Sequence, residues 1–423
     1  MPLLNRRKFI AQAGAASAGL ALACKNPGGG SDKTKTVALL ATEVRRHSHA
    51  QHFIDRFLEG YGWQGRWHHP SVKLVSLYVD QFPEQDLARD RSKRFDVPIY
   101  PTIAEALTRG GSKLAVDGVI IIGEHGKYPK NEKGQTLYPR YKWFKEIVKV
   151  FKDSGRSVPV FNDKHLSTTW TECAEMVADA KRLNFPFFAG SSLPVTWRIP
   201  AIDLPSGSPL EESLSICYGG VDSYDFHGLE TAQCMSERRR GGESGVKSVQ
   251  ALRGEPMWKA LESRESTKRL FLAALARSHT ARPPQGFTIA RPSVTSAQEA
   301  SPNAVGYFIE HNDGLKTTML MCNGLIRDFV YAGRTSREVL SCQMHLPMPL
   351  HISTTADFFN PLVHHIEQMV MTGSVPYPVE RTLLTSGMTL FAVESLHQGQ
   401  KPIATPEMDV TYGVRKTSTF WNA

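Results

Sequence analysis

The chain has 423 residues and a mass of 47.0 kDa, too long for one ordinary hydrophobic core, so two domains are expected. Its composition, 41% apolar and 22% charged, is that of a globular protein. The formal charge of +9 does not make it a nucleic-acid binder. Its densest basic cluster, Arg238-Arg239-Arg240, lies between Glu237 and Glu243, and no basic stripe accompanies it.

Residues 1–33 read as an address followed by a linker. "NRRKFIAQAGAASAGLALAC" carries paired arginines, an apolar stretch and Ala21-Leu22-Ala23 as a small-residue cleavage site. It resembles a twin-arginine export signal, which implies the export machinery as a partner. The implied location is the periplasm, free or membrane-anchored. The stretch is too short and too rich in Ala and Gly for a good transmembrane helix. Its removal takes Arg6, Arg7 and Lys8 and lowers the charge to +6. Cys24 reads equally as a lipid-anchored first residue or as an ordinary cysteine of the discarded peptide. "KNPGGGSDKTK" is a flexible tether.

From Thr36 onward, apolar runs alternate with helical stretches. "TVALLA" is a strand and "AQHFIDRFLEGYG" its helix. "VKLVSLYVD" ends in Asp80 and precedes the helix "PEQDLARDRSKRF", the short strand "VPIY" and the helix "TIAEALT". "VDGVIIIGEHG" is a buried strand, and "YKWFKEIVKVFKDSG" is amphipathic with a glycine stop. "VPVFNDKHLS" is the next strand. Its helix opens on a capping box from Thr169 to Glu172, and "FPFFAGSSL" closes the series. The pattern predicts a doubly wound, Rossmann-like parallel sheet over residues 34–190.

Residues 191–423 change grammar. Strand-like runs such as "ESLSICYGG", "VKSVQALRG" and "RDFVYAG" interleave with helices at 227–240 and 256–276, and two more near the end. Asn312-Asp313-Gly314 marks a hairpin. An α+β domain is expected, with an open, largely antiparallel sheet and helices on one face. Cys173, Cys217, Cys234, Cys322 and Cys342 form no C-x-x-C pair and read as small buried hydrophobes.

Ligands of doubly wound sheets bind beyond the carboxyl ends of the strands. Asp80, Glu124, His125, Asp163, Lys164, His165 and the loop "TEVRRHSH" all emerge there. Several titratable groups facing one crevice point to a site.

Three segments resemble the glucose–fructose oxidoreductase / inositol dehydrogenase family. "VPVFNDKHLSTTWTECAEMVADAKRLNFPFFAG" is similar to its stretch around Glu-Lys-Pro, with Lys164 in the place of the catalytic lysine. "VDSYDFHGLETAQCM" is similar to the first helix of its second domain, with His227 and Glu230 in the places of His-x-x-Asp. "HHIEQMVMTGSVPYPVERTLLTSGMTLFAVESLHQGQ" resembles its C-terminal helix pair. The resemblance spans Thr36 to the end. It implies a homo-oligomer that moves a hydride between a sugar or polyol carbon and NAD or NADP. Lys164 would hold the substrate oxygen, His227 would be the acid/base, and Glu230 would orient the His227 ring. Thr42, His49, Asp80, Glu124, His125 and Asp163 occupy cofactor-binding places.

The departures are specific. Where the family has G-x-G-x-x-G, this chain has "LLATEVRRHSHAQHF", without a glycine from Val37 to Glu59. Glu43 would repel a diphosphate, while Arg45 and Arg46 offset that charge. An exported enzyme meets little free nucleotide, so any nicotinamide is expected to be tightly bound and recycled in place. The replacements add imidazoles and carboxylates: His47, His49, Glu124, His125, Asp163, His165 and His227. Such a set suits zinc, iron or manganese, but His47-x-His49 is no strong metal motif and no metal ligand is assigned. Two other readings remain open. One is a non-redox, metal-assisted elimination, hydration or epimerisation of a sugar-like molecule; the other is a binding protein on the same scaffold.

Overall fold

Six apolar runs form the first sheet: β1 Thr36–Ala41, β2 Lys73–Val79, β3 Ile99–Tyr100, β4 Gly118–Ile122, β5 Val160–Asp163 and β6 Phe187–Gly190. The computed structural model describes residues 34–282, 293–347 and 355–420; the export signal, Cys24 and most of the tether lie outside them. All pairings in this sheet are parallel, in the order β3-β2-β1-β4-β5-β6. Strands buried on both faces show no in/out alternation, which is why "GVIII" is apolar throughout. The intervening helices are α1 His49–Glu59, α2 Ala88–Phe95, α3 Ile103–Thr108, α4 Arg140–Ser154 and α5 Trp170–Arg182. The strand order reverses between β1 and β4, and the crevice of such a sheet lies there.

Only half of the expected capping box on α5 forms. Thr169 Oγ1 accepts from Glu172 N at 3.3 Å, but the Glu172 carboxylate accepts from Ser167 Oγ at 2.5 Å instead of returning to the cap.

The second sheet has eight strands: β7 Arg198–Ile199, β8 Leu210–Cys217, β9 Val246–Arg253, β10 Val305–His311, β11 Lys316–Met321, β12 Phe329–Thr335, β13 Val339–Met344 and β14 Ile403–Ala404. Their order is β14-β9-β10-β11-β8-β12-β13-β7. Every pairing is antiparallel except that of β8 with β11. The Asn312–Gly314 hairpin joins β10 to β11, with Gly314 at φ 88°.

Helices cover both faces of this sheet, not one. The period of two sends Cys217, Met319 and Tyr331 toward α6 Tyr224–Ser236 on one side. It sends Leu214, Ile216, Leu320 and Val330 to the other side, against Trp258, Leu270 and Phe271. The latter belong to α7 Glu255–Glu262 and α8 Glu265–Leu275, two helices where one was expected. The helix α9 Val294–Ala300 follows, then α10 Phe359–Thr372 and α11 Glu380–His397. One apolar core runs from β1 through α6 and α11, so the two sheets are parts of one compact unit. The five described cysteines are buried free thiols.

Candidate active site

A cavity of about 390 Å³ opens at the carboxyl edge of the first sheet, where α6 and the start of α10 close over it. That is at the small end of the range for small-molecule sites, roughly 300–1,000 Å³. Its walls include His47, His49, Glu124, His125, Asp163, Lys164 and His227.

The end of β5 explains how one short stretch can serve several roles. Asn162 is buried and its Nδ2 donates to the carbonyls of Asp163 and His165, at 3.2 and 3.4 Å. Lys164 then takes φ 71°, its N–H donating to Gly190 O at 3.1 Å. This turn sends the three side chains different ways. Asp163 Oδ2 accepts from His49 Nδ1 at 2.7 Å. Lys164 Nζ donates to His227 Nε2 and stands 3.6 Å from Glu124 Oε1. His165 leaves the cavity and lies against the Arg140 guanidinium, 2.9 Å from Nη2.

His227 is placed by the start of α6. The buried Asp225 carboxylate accepts from the N–H groups of Asp222, Ser223 and Phe226 and from Tyr307 Oη, at 2.8–2.9 Å. That anchor sits two residues before His227, and the sequence reading missed it. An acid in a first helical turn after a Ser was the available signal. Burial, with the Lys164 charge adding to it, holds His227 well below its usual pKa, so the ring is neutral. Burial likewise pushes His125 down to about 3. Burial raises the Glu124 carboxyl, but the charges of Lys164, His49, His125 and Arg140 outweigh this and hold it below the usual carboxylate range.

Glu230 does not orient the His227 ring. Its Oε2 accepts from Ser191 N at 2.7 Å and also from Ser191 Oγ, fixing the segment that follows β6. Gly190 has φ 125°, and a Cβ there would come within 2.5 Å of Glu230 Oε1, so the tight approach requires glycine. Burial pushes Glu230 up to about 7.

Two expected cofactor residues are engaged elsewhere. Thr42 is buried off the cavity, its Oγ1 donating to Glu124 O at 2.5 Å. Asp80 is exposed, and its two oxygens accept from Tyr78 Oη at 2.8 Å and Tyr128 Oη at 2.6 Å. Tyr128 belongs to the loop 123–139, of which only residues 123–126 carry a sequence assignment, as the end of the strand "VDGVIIIGEHG". Gln81 side-chain atoms bond Lys127 N and O at 2.9 and 3.1 Å, so the loops after β2 and β4 are knit together. The same loop docks on the second domain through Asp222, which accepts from Gln135 Nε2 and Thr136 N. The sequence reading also missed Tyr138, Tyr224 and Phe359, which complete the cavity wall.

His364 and His365 are half-buried and engaged away from the cavity. His364 stacks on Trp63 with centroids 4.2 Å apart, and His365 Nε2 lies 3.2 Å from Thr419 O.

No family model matches the chain, and no curated protein matches it in sequence. Solved structures match it in fold. GenD2 from gentamicin A biosynthesis, in complex with NAD, is 12% identical over 90% of this chain and 98% of its own, with a TM-score of 0.52. The myo-inositol dehydrogenase of Lactobacillus casei, in complex with NAD(H) and myo-inositol, is 11% identical over 88% of this chain and 96% of its own, with a TM-score of 0.54. The scyllo-inositol dehydrogenase of the same organism is 10% identical over 88% and 98%, with a TM-score of 0.52. The chain thus has the two-domain fold of the inositol dehydrogenases and related oxidoreductases, as its sequence resemblance implied.

Proposed function

We propose that the protein is an oxidoreductase acting on a hydroxyl group of a carbohydrate-like small molecule with a nicotinamide cofactor. The observation that carries this is the contact of Lys164 Nζ with His227 Nε2, made across the two domains on the cavity wall. With His227 neutral, the extra proton of the pair sits on Lys164. In that state the pair is an acid that steadies an alkoxide or protonates a carbonyl oxygen. Having lost that proton, it is the base that takes the hydroxyl proton. Asp225 fixes His227 and the Gly190–Ser191 segment fixes the backbone beside Lys164, so the pair is held before substrate arrives.

The cavity fits the reactive end of the cofactor. Arg45 and Arg46 lie on its wall just before α1, whose first turn contains no acid, and a diphosphate is favoured at such a place. His47 Nδ1 is buried there without a partner, a group that a polar ligand satisfies. The adenosine end is not held in the family's manner, because Asp80 is already bonded to two tyrosines. When bound, a nicotinamide accepts the hydride from the carbinol carbon. Residues on hand for it are Arg45, Arg46 and His47, with His49, Glu124, His125 and Asp163 on the same wall.

The test has two parts. Ligand released from denatured, natively exported protein is expected to include a nicotinamide nucleotide. Lys164→Ala and His227→Ala are each expected to abolish most turnover, with non-additive effects in the double variant. Near-wild-type turnover in either single variant removes that residue from the mechanism. Absence of nucleotide, together with no binding of NAD or NADP by calorimetry, overturns the redox reading.

Export through the twin-arginine route, with or without acylation of Cys24, is likewise proposed from residues 1–33. No helix among the described residues is long and apolar enough to cross a membrane.

A further inference from the structure

We infer that the cavity holds a divalent first-row transition-metal ion, bound by His49, Glu124 and His125. One ligand atom from each of these three lies within 4.8 Å of the others. Ligands at about 2.0–2.2 Å from one ion stand about 3–3.5 Å apart, so small side-chain rotations close the site. The residues come from the first turn of α1 and from the loop after β4, which the parallel pairing of β1 with β4 brings side by side.

Three further observations favour a metal. His49 donates from Nδ1 to the buried Asp163, which leaves Nε2 as its free nitrogen, the arrangement of a carboxylate–histidine–metal triad. His125 Nε2 is buried and has no partner. The Glu124 carboxylate accepts no hydrogen bond among the described residues, and its ion-pair partner is Lys164, at 3.6 Å. Arg45 Nη2, 3.5 Å from His125 Nδ1, must yield for Nδ1 to carry the proton. Two imidazoles and one carboxylate leave coordination positions open, as in sites that bind zinc, iron or manganese and admit a substrate oxygen.

The second cluster with metal-like composition has no such vacancy. Glu367 accepts from Ser71 N and His68 Nε2 at 2.7 Å each and from Tyr61 Oη at 3.3 Å, while His364 is stacked on Trp63. It is a closed structural knot and serves as the control.

The metal site stands on this geometry alone; its role rests on the function proposed above. A substrate hydroxyl on the open position lies next to Lys164. Its O–H bond breaks, the proton passes to the deprotonated Lys164–His227 pair, and the oxygen remains on the metal as an alkoxide.

The test is metal binding by the untagged, chelator-stripped full chain, with Co²⁺ and Zn²⁺ as probes and no nucleotide or turnover in the readout. One equivalent is expected to bind. His49→Ala, Glu124→Ala and His125→Ala are each expected to weaken binding by at least about 100-fold, and Asp163→Asn by about 10–100-fold. Lys164→Met and His364→Ala are expected to retain it. Should the alanine variants not fold, Zn²⁺ is expected to protect His49 and His125 of the wild-type protein from diethyl pyrocarbonate. Failure to bind one equivalent, unchanged affinity in a folded triad variant, or unprotected His49 and His125 overturns the site. Loss of redox activity alone leaves it standing.

Discussion

Lys164→Met removes one charge from a site whose electrostatics the structure makes explicit. Methionine keeps an unbranched stem and faces the same left-handed backbone, φ 71°, so little but the ammonium changes. In the wild-type protein that ammonium stands 3.6 Å from Glu124 Oε1. Two unit charges at this separation attract by about 4–5 kcal/mol at an effective dielectric constant of about 20. The variant also escapes the cost of desolvating the ammonium, so a net loss of about 3 kcal/mol at neutral pH is expected, near the low end for breaking a buried pair. The pH dependence fixes the sign. Burial alone raises the Glu124 carboxyl, and Lys164 is the first of the charges that hold it down. Its contribution to wild-type stability is therefore present above the ordinary carboxylate pKa and is lost as pH falls through the depressed one. Without Lys164 the buried carboxylate loses the first of the charges that hold it down and takes up a proton at a higher pH than in the wild-type protein. The gap between the two proteins should then narrow as pH falls, by at most about 1.4 kcal/mol per pH unit. Urea unfolding of both proteins at about pH 8 and about pH 5 measures it. A gap equal at the two values, or a variant as stable as wild type at the higher one, refutes the pairing of Lys164 with Glu124.

Glu230→Gln should keep the bonds from Ser191 and retain activity, because Glu230 positions a backbone and touches no ring in the cavity. Its carboxyl, raised to about 7, destabilises the wild-type fold as pH climbs from the ordinary carboxylate range toward neutrality. The Gln variant should therefore match wild type near about pH 5 and exceed it by about 2–3 kcal/mol above about pH 7, read as a thermal midpoint; an activity loss like that of His227→Ala would put Glu230 back in the mechanism. Replacing Arg6 and Arg7 by Lys should retain the protein in the cytoplasm, and Cys24→Ala should release it from membranes only if that cysteine is acylated; fractionation that finds the Lys variant exported as before excludes the twin-arginine route.

Periodicity made the first sheet legible because its strands are buried on both faces and read as unbroken apolar runs, as "GVIII" does. That Lys164, Asp163, Glu124, His125 and His49 meet at one cavity was legible because strand ends of a doubly wound sheet converge by construction, whereas His227, on α6, was reached through the family resemblance. Pairings between those residues were not legible. Glu230 lies one helical turn from His227, and spacing alone makes it the ring's partner. Gly190 has no Cβ, however, so the chain after β6 approaches closely enough to take that carboxylate. Asp80 shows the same limit from the other side. It stands where a ribose acid belongs, yet Tyr78 of its own strand takes one oxygen and the loop 123–139 folds back so that Tyr128 takes the other. Long-range loop docking leaves no periodic trace in the residues it engages. The double coverage of the second sheet was missed because alternating Ser and Leu in "ESLSIC" reads as one wet face, whereas Ser213 and Ser215 are buried and bonded to α6 at Ser236 Oγ and Gly228 O.

Backbone geometry ties these observations to the site. His47, His125 and Lys164 have φ of 64°, 73° and 71°, left-handed values that cost a residue with a Cβ about 1–3 kcal/mol each. None of the three is a glycine or an asparagine, the residues that take this conformation most cheaply. All three lie in loops leaving β1, β4 and β5, and all three line the cavity. A strand that ran on extended would alternate its side chains between the helix-covered faces of the sheet. One left-handed residue at or near its end redirects the chain so that the next side chains project beyond the edge. At Lys164 the turn is locked by its N–H to Gly190 O and by Asn162 Nδ2. At His125 it follows Glu124, whose carbonyl is tied to Thr42 Oγ1. At this edge the left-handed positions carry side chains that bear a proton or a lone pair, and the surrounding buried bonds over-determine them; Gln64, Arg109 and Ala356 are among the residues that take the same conformation elsewhere. Glycine at these places would relax the backbone and delete the chemistry, which is the physical reason to place function at this edge of the sheet.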